Sequence, residues 1–338
     1  MGGVQLREVC DLVAHEGTVS SVQFQQPQSG SSSDSSLLAS CGSDRRIVIW
    51  RIRAGDDQGG MEVVRFNDAH ESGVNDVHWH PDSATPKIAS AGDDYCCAVW
   101  DCTTQTKLRR LRGHRQAVLQ CRWHPDGTLL ATGSMDHSVI LWDTRMACPV
   151  RRLVAHSDPV LSLDWTNDGD RLLTASCDGL MRVWSPHESN PILEMAASNT
   201  EPFCCARFSP NKKFVLSASL NEGPMRLWAV DTQKIVLRLQ SAHTHKDNFF
   251  LCEYAFASQK RPFVVTGDSE GRLSFYSLST GKVALQEKRH DAPLLALATL
   301  NASTPLVATS ALRPPVREDE RIDTSKYTIR VAAWKETP

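Results

Sequence analysis

The sequence predicts an all-β fold, a seven-bladed β-propeller with four antiparallel strands in each blade, from three observations. A pattern recurs in which an aspartate follows a serine or threonine by four residues and precedes a tryptophan by six, with a histidine upstream. Short runs of alternating apolar residues are separated by turn residues, and no helical period lies between them. The units are about 40 residues long, which is typical of propeller blades.

Four units carry the complete pattern of histidine, hydroxyl, aspartate and tryptophan. Its members are His15, Ser40, Asp44 and Trp50; His70, Ser90, Asp94 and Trp100; His114, Thr132, Asp136 and Trp142; and His156, Thr174, Asp178 and Trp184. A catalytic set is assembled once per active site, so four copies indicate a structural unit used repeatedly. In a blade, such a quartet would satisfy polar groups that each cost about 1–3 kcal/mol when buried unpaired.

The strands within a unit follow from its turns. In the third unit, the predicted strands are residues 118–123, 128–133, 138–142 and 150–153. Turn residues recur between the first and second strands of successive units. They are Pro81 with Asp82, Pro125 to Gly127, Asn167 to Gly169, and Pro210 with Asn211.

Three weaker units complete the predicted set of seven. The fifth offers Ser217, Asn221 and Trp228; the sixth offers His243, Thr266, Glu270 and Tyr276; the last runs from His290 to Trp334. We expect one domain over residues 1–338, with repeats at about 11–53, 64–102, 109–145, 151–186, 192–231, 237–279 and 283–336. Residues 4–13 would close the last blade and leave no open sheet edge. The polar insertions at 25–36, 53–60 and 313–326 are expected to be surface loops.

Composition narrows the class of protein. With 41% hydrophobic and 22% charged residues the chain can build a large core, and its net charge of -2 does not favour direct binding to nucleic acid. The eleven cysteines show no Cys-x-x-Cys spacing, so we expect buried, reduced thiols and no zinc site. The N-terminal residues lack a signal-peptide core, and no apolar run is long enough to span a membrane. These features predict an intracellular protein.

One basic stretch stands out, formed by Lys107, Arg109, Arg110, Arg112 and Arg115. It fits a solvated outer strand whose charges prevent edge-to-edge pairing, and it also fits a binding patch for an acidic partner. By contrast, the sequence has no phosphate-binding glycine loop, no His-x-x-x-His spacing and no Gly-x-Ser-x-Gly elbow. We therefore expect no catalytic residues, no cofactor and no metal, and we interpret Met135 and the alternating Val and Leu positions as core packing.

The quartets, with Gly113–His114 and Ala155–His156 at unit starts and Trp142–Asp143 at a unit end, resemble the WD-repeat family over nearly the whole chain. A closer likeness lies in 155–160, 177–180, 208–211 and 310–312, which are similar to the WD-repeat scaffold subunits of COMPASS/MLL-type histone lysine methyltransferase complexes. The resemblance implies a non-enzymatic scaffold, a single propeller within a nuclear hetero-complex. Its partners would be other subunits, with a methyltransferase core and a histone tail among them.

The same resemblance implies a peptide site at the mouth of the central channel, where those subunits hold an arginine between two aromatic rings. The corresponding positions are Ser20, Ser43, Asn75, Asp93, Leu119, Met135, Leu161, Cys177, Leu220, Phe250 and Glu253, with Ser269 and Leu295 in weaker units. The two rings fall on Leu119 and Glu253, so a cation–π contribution of about 0.5–2 kcal/mol is absent. Asp93 and Glu253, beside Phe250, remain able to attract a cation.

A second surface implied by the resemblance is an apolar side cleft near the fifth and sixth blades, which docks a short hydrophobic and acidic segment of a partner. Asn211, Phe214, Leu227 and Phe256 match it, whereas a lysine of those subunits falls on Leu237. These apolar residues also fit a role in the core. Nor do the quartets distinguish this assembly from an RNA-processing particle, a ciliary or centriolar structure, or a ubiquitin-ligase substrate receptor.

Overall fold

A computed structural model describes residues 4–26, 35–53, 60–154, 156–196, 201–220, 225–239, 255–256, 263–300, 305–312 and 327–336. These residues form seven four-stranded antiparallel sheets, so the predicted seven-bladed propeller is confirmed. The fold has two compact units, residues 1–77 with 255–338, and residues 78–254. No helix in the described part of the chain has the length and apolar character needed to cross a bilayer.

The strands follow the chain in blade order. The first is β1 (Val4–Leu12), and blade 1 contains β2 (Val19–Phe24), β3 (Ser35–Gly42), β4 (Ile47–Arg53) and β5 (Gly60–Phe66). Blade 2 contains β6 (Val74–Trp79), β7 (Lys87–Gly92), β8 (Cys96–Asp101) and β9 (Thr106–Arg112). Blade 3 contains β10 (Val118–Trp123), β11 (Leu129–Ser134), β12 (Ser138–Asp143) and β13 (Cys148–Val154). The boundary between the two units falls within β6.

The later blades repeat this order. Blade 4 contains β14 (Val160–Trp165), β15 (Leu172–Ser176), β16 (Leu180–Trp184) and β17 (Pro191–Ala196). Blade 5 contains β18 (Phe203–Phe208), β19 (Phe214–Ser219), β20 (Met225–Ala229) and β21 (Lys234–Leu239). Blade 6 contains β22 (Ala255–Phe256), β23 (Phe263–Gly267), β24 (Arg272–Ser277) and β25 (Val283–Lys288). Blade 7 contains β26 (Leu294–Leu300), β27 (Leu306–Ala311) and β28 (Ile329–Glu336).

The first three strands of a blade are largely buried, and the fourth is mostly exposed. Every residue of β14 is buried except Asp164, whereas β17 buries only Met195. The fourth strand is thus the one that meets solvent. Within each unit the sheets pack face to face, and one such core joins Val99 of blade 2 to Cys121 and Trp142 of blade 3.

The N-terminal strand completes the last blade. The strands of that sheet lie in the order β1-β28-β27-β26, and Leu6 pairs with Trp334. This arrangement confirms the predicted closing role of the N-terminal segment. Glu8 of β1 also forms an ion pair with Arg289, whose side chain is 2% exposed.

Two histidines reach from the turn of one blade to the turn of the next. His80 lies 3.2 Å from the carbonyl oxygen of Gly127, and His124 lies 3.1 Å from that of Gly169. Gly127 has φ of +76°, and a Cβ there would come within 2.5 Å of His80 Nε2. A glycine therefore suits both the backbone and the space at this turn.

Candidate functional site

The repeated quartet is a hydrogen-bonded chain in the third blade. Nδ1 of His114 lies 3.0 Å from Oδ2 of Asp136, and Nε2 lies 2.7 Å from Oγ1 of Thr132. The indole N–H of Trp142 donates to the same Oγ1 at 2.8 Å. Because a carboxylate only accepts hydrogen bonds, the histidine donates from Nδ1. All four groups thus have partners, which suits bracing of the blade.

The first and fourth blades have the same geometry. His15 lies 2.9 Å from Asp44 and 2.8 Å from Ser40, and Trp50 donates to Ser40 at 2.9 Å. In the fourth blade, the distances from His156 to Asp178 and Thr174 are 2.9 and 2.8 Å, and Trp184 donates to Thr174 at 3.1 Å. In the second blade, Trp100 donates to Ser90 at 2.8 Å, and Arg110 pairs with Asp94 at 3.2 Å.

The weaker units keep part of the quartet. Trp228 donates to Ser217 at 2.8 Å in the fifth blade, and His290 lies 2.9 Å from Thr309 in the seventh. In the sixth blade, Glu270 is 64% exposed and pairs with Arg272, so it differs from the buried aspartates of the complete quartets. Asn221 and His243 lie outside the described residues.

A different acidic residue braces the turn of the sixth blade. Asp268 is buried and accepts the backbone N–H groups of Glu270 and Arg272 at 2.9 and 2.8 Å. It stands two residues after Thr266, where the third and fourth blades have Ser134 and Ser176, whose hydroxyls accept the N–H of the quartet aspartate. The sequence spacing predicted Glu270, which lies four residues after Thr266. It could not show that in this blade an aspartate replaces the serine found two residues after the hydroxyl in blades 3 and 4.

The electrostatics of the quartets favour an ionised aspartate. Burial would raise the pKa of Asp178, but hydrogen bonds from His156 and from two backbone N–H groups outweigh it and lower that pKa to about 2. The pKa of Asp136 lies well below its usual range for the same balance of causes. Burial also lowers the pKa of His156, against the opposing effect of Asp178. These directions favour a neutral imidazole beside an ionised carboxylate in the fourth blade.

One repeated backbone bond brings the two kinds of predicted mouth position together in blades 1, 3 and 4, and the same bond recurs in blades 5 and 7. The residue before the quartet aspartate, or its equivalent, donates its N–H to the carbonyl two residues before the other mouth position. These bonds join Ser43 to Thr18, Met135 to Ala117, Cys177 to Pro159, Leu220 to Pro202, and Leu312 to Pro293, at 2.7–3.1 Å. The residue five after a quartet histidine and the residue just before the quartet aspartate are thus neighbours in the blade.

In the unit of residues 78–254, the mouth positions are largely apolar. Leu119, Cys177 and Leu220 are half-buried and Leu161 is buried. Met135 is 37% exposed, so the prediction that it packs in the core is wrong. Asp93 is exposed and adds a carboxylate on the second blade. Phe250 and Glu253 lie outside the described residues.

In the other unit, the mouth positions are mainly polar. Ser20 is half-buried and donates to the carbonyl of Val74, and Ser43 is exposed. Asn75 and Ser269 are half-buried, while Leu295 is 9% exposed. None of these described side chains is aromatic.

Three of the four side-cleft residues, Asn211, Phe214 and Leu227, lie on the fifth blade, and Phe256 lies on β22 of the sixth. Phe214 is half-buried, and Leu227 is buried between Leu216 and Leu237 in the sheet register. The side-chain oxygen of Asn211 accepts from Ser209 and from a backbone N–H, so Asn211 is engaged in its turn. Phe256 pairs with Val264 through its backbone, and its side chain is outside the description.

Buried cations on the innermost strands were missed at the sequence level. Arg122 and Arg207 are at most 8% exposed, and Arg207 donates to Ser162 Oγ and Leu163 O at 2.9 and 3.0 Å. Burial, with both arginines, holds the pKa of His78 well below its usual range. A polar residue just before the aromatic that ends the first strand, in each of blades 1 to 5, was the available signal.

Comparison with known families identifies the repeat. The profile of "WD domain, G-beta repeat" matches residues 6–51, 61–101, 105–143 and 147–185, which follow the first four blades. The chain belongs to the WD-repeat family. WD-repeat propellers generally serve as non-catalytic scaffolds that bind protein partners.

Individual relatives match this WD-repeat chain only in part. It is 32% identical over 128 residues to the WD repeat-containing protein WDS homolog of Arabidopsis thaliana, covering 37% of this chain and 22% of that protein. It is 33% identical over 107 residues to Coronin-7 of Bos taurus, covering 30% and 11%. It is 30% identical over 125 residues to the chromatin assembly factor 1 subunit FAS2 homolog of Oryza sativa subsp. japonica, covering 37% and 23%. The chain therefore spans less than a quarter of each relative's length.

Proposed function

We propose that this WD-repeat chain is a non-enzymatic scaffold subunit of a COMPASS/MLL-type histone lysine methyltransferase complex and acts in the nucleus. Two observations support the proposal. Segments 155–160, 177–180, 208–211 and 310–312 resemble the scaffold subunits of those complexes. One of the relatives is named as a chromatin assembly factor subunit. The quartets, which resemble catalytic sets in composition, are committed to bracing.

The observation that carries the proposal is an apolar row on the fifth blade. Phe214, Leu227 and Leu237 lie on one face of that sheet, since their register positions differ by even steps. The opposite face bears Val215 and Trp228, which are buried in the core shared with the fourth blade. Phe214 and Leu237 are only half-buried, so the first face retains apolar surface for a partner segment.

Substitution of this face tests the proposal. We expect Phe214→Ala or Phe256→Ala to weaken co-purification of a methyltransferase core by at least about tenfold, because aromatic anchors dominate interface energies. Ile235→Ala is the matched control, since Ile235 is a half-buried apolar residue packed on the opposite core. Thermal unfolding of each variant separates a lost contact from a lost fold.

The outcome also distinguishes the possible assemblies. If both phenylalanine variants co-purify the methyltransferase core normally, the side-cleft assignment is wrong. If the unaltered chain instead co-purifies an RNA-processing, ciliary or ubiquitin-ligase assembly, the scaffold role stands and the assignment to histone methylation fails.

A further inference from the structure

The tripeptide His-Pro-Asp occurs twice in the chain, directly after the first strand of blades 2 and 3, and neither copy belongs to a quartet. The copies are residues 80–82 and 124–126. Each histidine reaches the turn of the following blade, where it contacts the carbonyl oxygen of a glycine. The two copies thus link blade 2 to blade 3 and blade 3 to blade 4.

The hydrogen bonds of His80 require a neutral imidazole. Its Nδ1 accepts the backbone N–H of Asp82 at 3.0 Å, so this nitrogen carries no proton. Its Nε2 lies 3.2 Å from the carbonyl oxygen of Gly127, which only accepts, so the ring proton is on Nε2. The ring also packs against Trp123, with centroids 4.6 Å apart. A second proton, on Nδ1, would point at the N–H of Asp82 and turn the ring out of this position.

The hydrogen bonds of His124 are compatible with a charged imidazole. Its Nδ1 lies 2.7 Å from Oδ1 of Asp126, closer than the backbone N–H of the same residue at 3.3 Å. Its Nε2 lies 3.1 Å from the carbonyl oxygen of Gly169, so each ring nitrogen faces an acceptor. In blade 2 the corresponding carboxylate, that of Asp82, instead accepts the N–H of Ala84 at 2.9 Å. The same tripeptide therefore forms two links with opposite proton requirements.

The link between blades 4 and 5 contains no histidine at this position. Thr166 stands where the two histidines stand, and the following Asn167 donates to the carbonyl oxygen of Pro210 at 3.4 Å. Lys212 forms an ion pair with Asp168 between the same two turns. Of these three successive links, only the one between blades 2 and 3 depends on an unprotonated ring nitrogen.

The charges around His80 come mainly from its own blade. Burial lowers the pKa of His80 below its ordinary 6.5, and the charge of Lys87 adds to this, whereas two backbone hydrogen bonds and the charge of Asp82 act in the opposite direction. From blade 3, the ring meets an indole and a carbonyl, and the nearby Asp126 faces His124. The folded link thus binds the extra proton less readily than the unfolded chain does, and acid favours the open link.

His78, two residues earlier on β6, belongs to the same junction but does not titrate with His80. Its Nδ1 accepts the backbone N–H of Trp123 at 3.3 Å. Burial, with the charges of Arg122 and Arg207, holds the pKa of His78 well below its usual range. His78 therefore stays neutral in mildly acidic solution, and His80 is the group of this junction that responds first.

We propose that the contact of His80 with the 124–128 turn is an acid-sensitive latch, which is closed while His80 is neutral and opens when the ring takes a second proton. The link from His124 to Gly169 stays closed under the same conditions. Opening frees the turn without unfolding either blade, because the strands of each blade keep their own pairing. The proposal does not depend on which assembly contains the chain.

Hydrogen exchange followed by mass spectrometry tests the latch between about pH 7.5 and about pH 5, with rates corrected for the intrinsic effect of pH. We expect the corrected exchange of peptides over 80–85 and 124–128 to rise by at least about fivefold in acid, and that of 166–171 to change by less than about twofold. Unchanged protection of β11 would show that the blade itself stays folded.

Two variants at the latch have distinct expected results. His80→Gln retains an N–H donor for Gly127 but does not titrate, so the rise in exchange should disappear. Gly127→Ala should give fast exchange at both pH values, because a Cβ there would come within 2.5 Å of His80 Nε2. His124→Gln is the matched control and should keep the acid response of the first link.

The proposal is wrong if exchange at 80–85 and 124–128 does not rise in acid, if His80→Gln keeps the rise, or if the 166–171 turn responds equally. Thermal unfolding shows whether each variant is folded. If His80→Gln does not fold, nitrogen-15 spectra of the imidazoles in the unaltered protein decide instead. A doubly protonated His80 with unchanged exchange at the turn would also overturn the latch.

Discussion

The hydroxyl at the centre of each complete quartet serves two neighbours in the blade. Oγ1 of Thr132 lies within hydrogen-bond distance of His114 and accepts from Trp142, and His114 in turn contacts Asp136. Removing one member leaves others buried without a partner, and the cost of an unmade bond exceeds the gain from a made one. The quartet therefore acts as a unit.

Asp136→Asn should lower the free energy of unfolding by about 1–3 kcal/mol at neutral pH, because an amide replaces the buried ionised acceptor of His114. Chemical denaturation measures the change. Asp158→Asn is the control, since Asp158 is exposed and contributes only its backbone carbonyl to a bond with Ser176. Equal stabilities of the two variants would show that the amide oxygen of the Asp136→Asn variant can accept the hydrogen bond from His114 as well as the carboxylate does.

Sequence spacing predicts quartets well where blades are regular, because strand lengths fix which side chains meet. It fails at Glu270, where Asp268 instead braces the turn, and at Met135, whose apolar character does not reveal its exposure. Cys148 is likewise exposed although burial was expected. Residues at turns are decided by local backbone geometry, which a hydrophobic pattern does not encode.

At the scale of the element, β1 is held by pairing on one side and by an ion pair to the rest of its unit. Arg289 bonds both carboxylate oxygens of Glu8, with Nη2 to Oε2 at 2.9 Å. Burial, and next the charge of Arg330, lowers the pKa of Arg289 to about 10. The guanidinium is thus costly to bury and depends on Glu8.

Glu8→Ala should lower the free energy of unfolding by about 1–3 kcal/mol, since it leaves a buried guanidinium without its main partner. Proteolysis of β1 should become faster than that of the parent protein, which mass spectrometry of the fragments can follow. Glu287→Ala is a matched control, because Glu287 lies 3.9 Å from the same guanidinium and is partly exposed. If both variants lose the same stability, the ion pair does not anchor β1.

The strands themselves were predictable, because turn residues punctuate alternating runs at nearly constant spacing. The closing strand was predictable for a physical reason too, since a sheet edge left open at the seam would be exposed. Which side of an outer strand meets solvent depends on its neighbours.

For the whole molecule, the quartet groups whose pKa values are shifted act in one direction. The pKa values of Asp44, Asp136 and Asp178 lie below the ordinary 3.8, and that of His156 lies below 6.5. Each group binds fewer protons when folded than when unfolded, so acidification favours unfolding. The stability that each group contributes is fully present at pH values above its ordinary pKa and is lost as the pH falls below that pKa.

We therefore expect the free energy of unfolding to decrease as pH falls below 6.5, through His156, and more steeply below about 4, through the aspartates. Urea denaturation from neutral to acidic pH measures this profile. Asp136→Asn with Asp178→Asn should flatten its acidic part, whereas Asp158→Asn should leave it unchanged. A stability that rises on acidification would contradict the assignment of these groups.

Fold and function differ in how much of them the sequence determines. A propeller needs only periodic apolar strands and turns whose polar groups have partners. The sequence between His15 and Trp184 contains both patterns four times. A docking surface depends on the chemistry of a partner, which the chain records only as incompletely buried side chains such as Phe214. The side-cleft assignment is therefore a proposal about a particular face rather than a consequence of the fold.

The pairing of β1 with β28 also constrains how the protein is made. Val4 pairs with Glu336 and Leu12 with Ile329, so β1 must wait until β28, more than 300 residues later, has been synthesised. At about 5–20 residues per second, that wait lasts roughly tens of seconds. During it, β1 lacks its pairing partner, and Val4 and Leu12, which are buried in the finished blade, have no sheet to pack against. Chaperone demand should thus concentrate on β1 and the strands of the seventh blade.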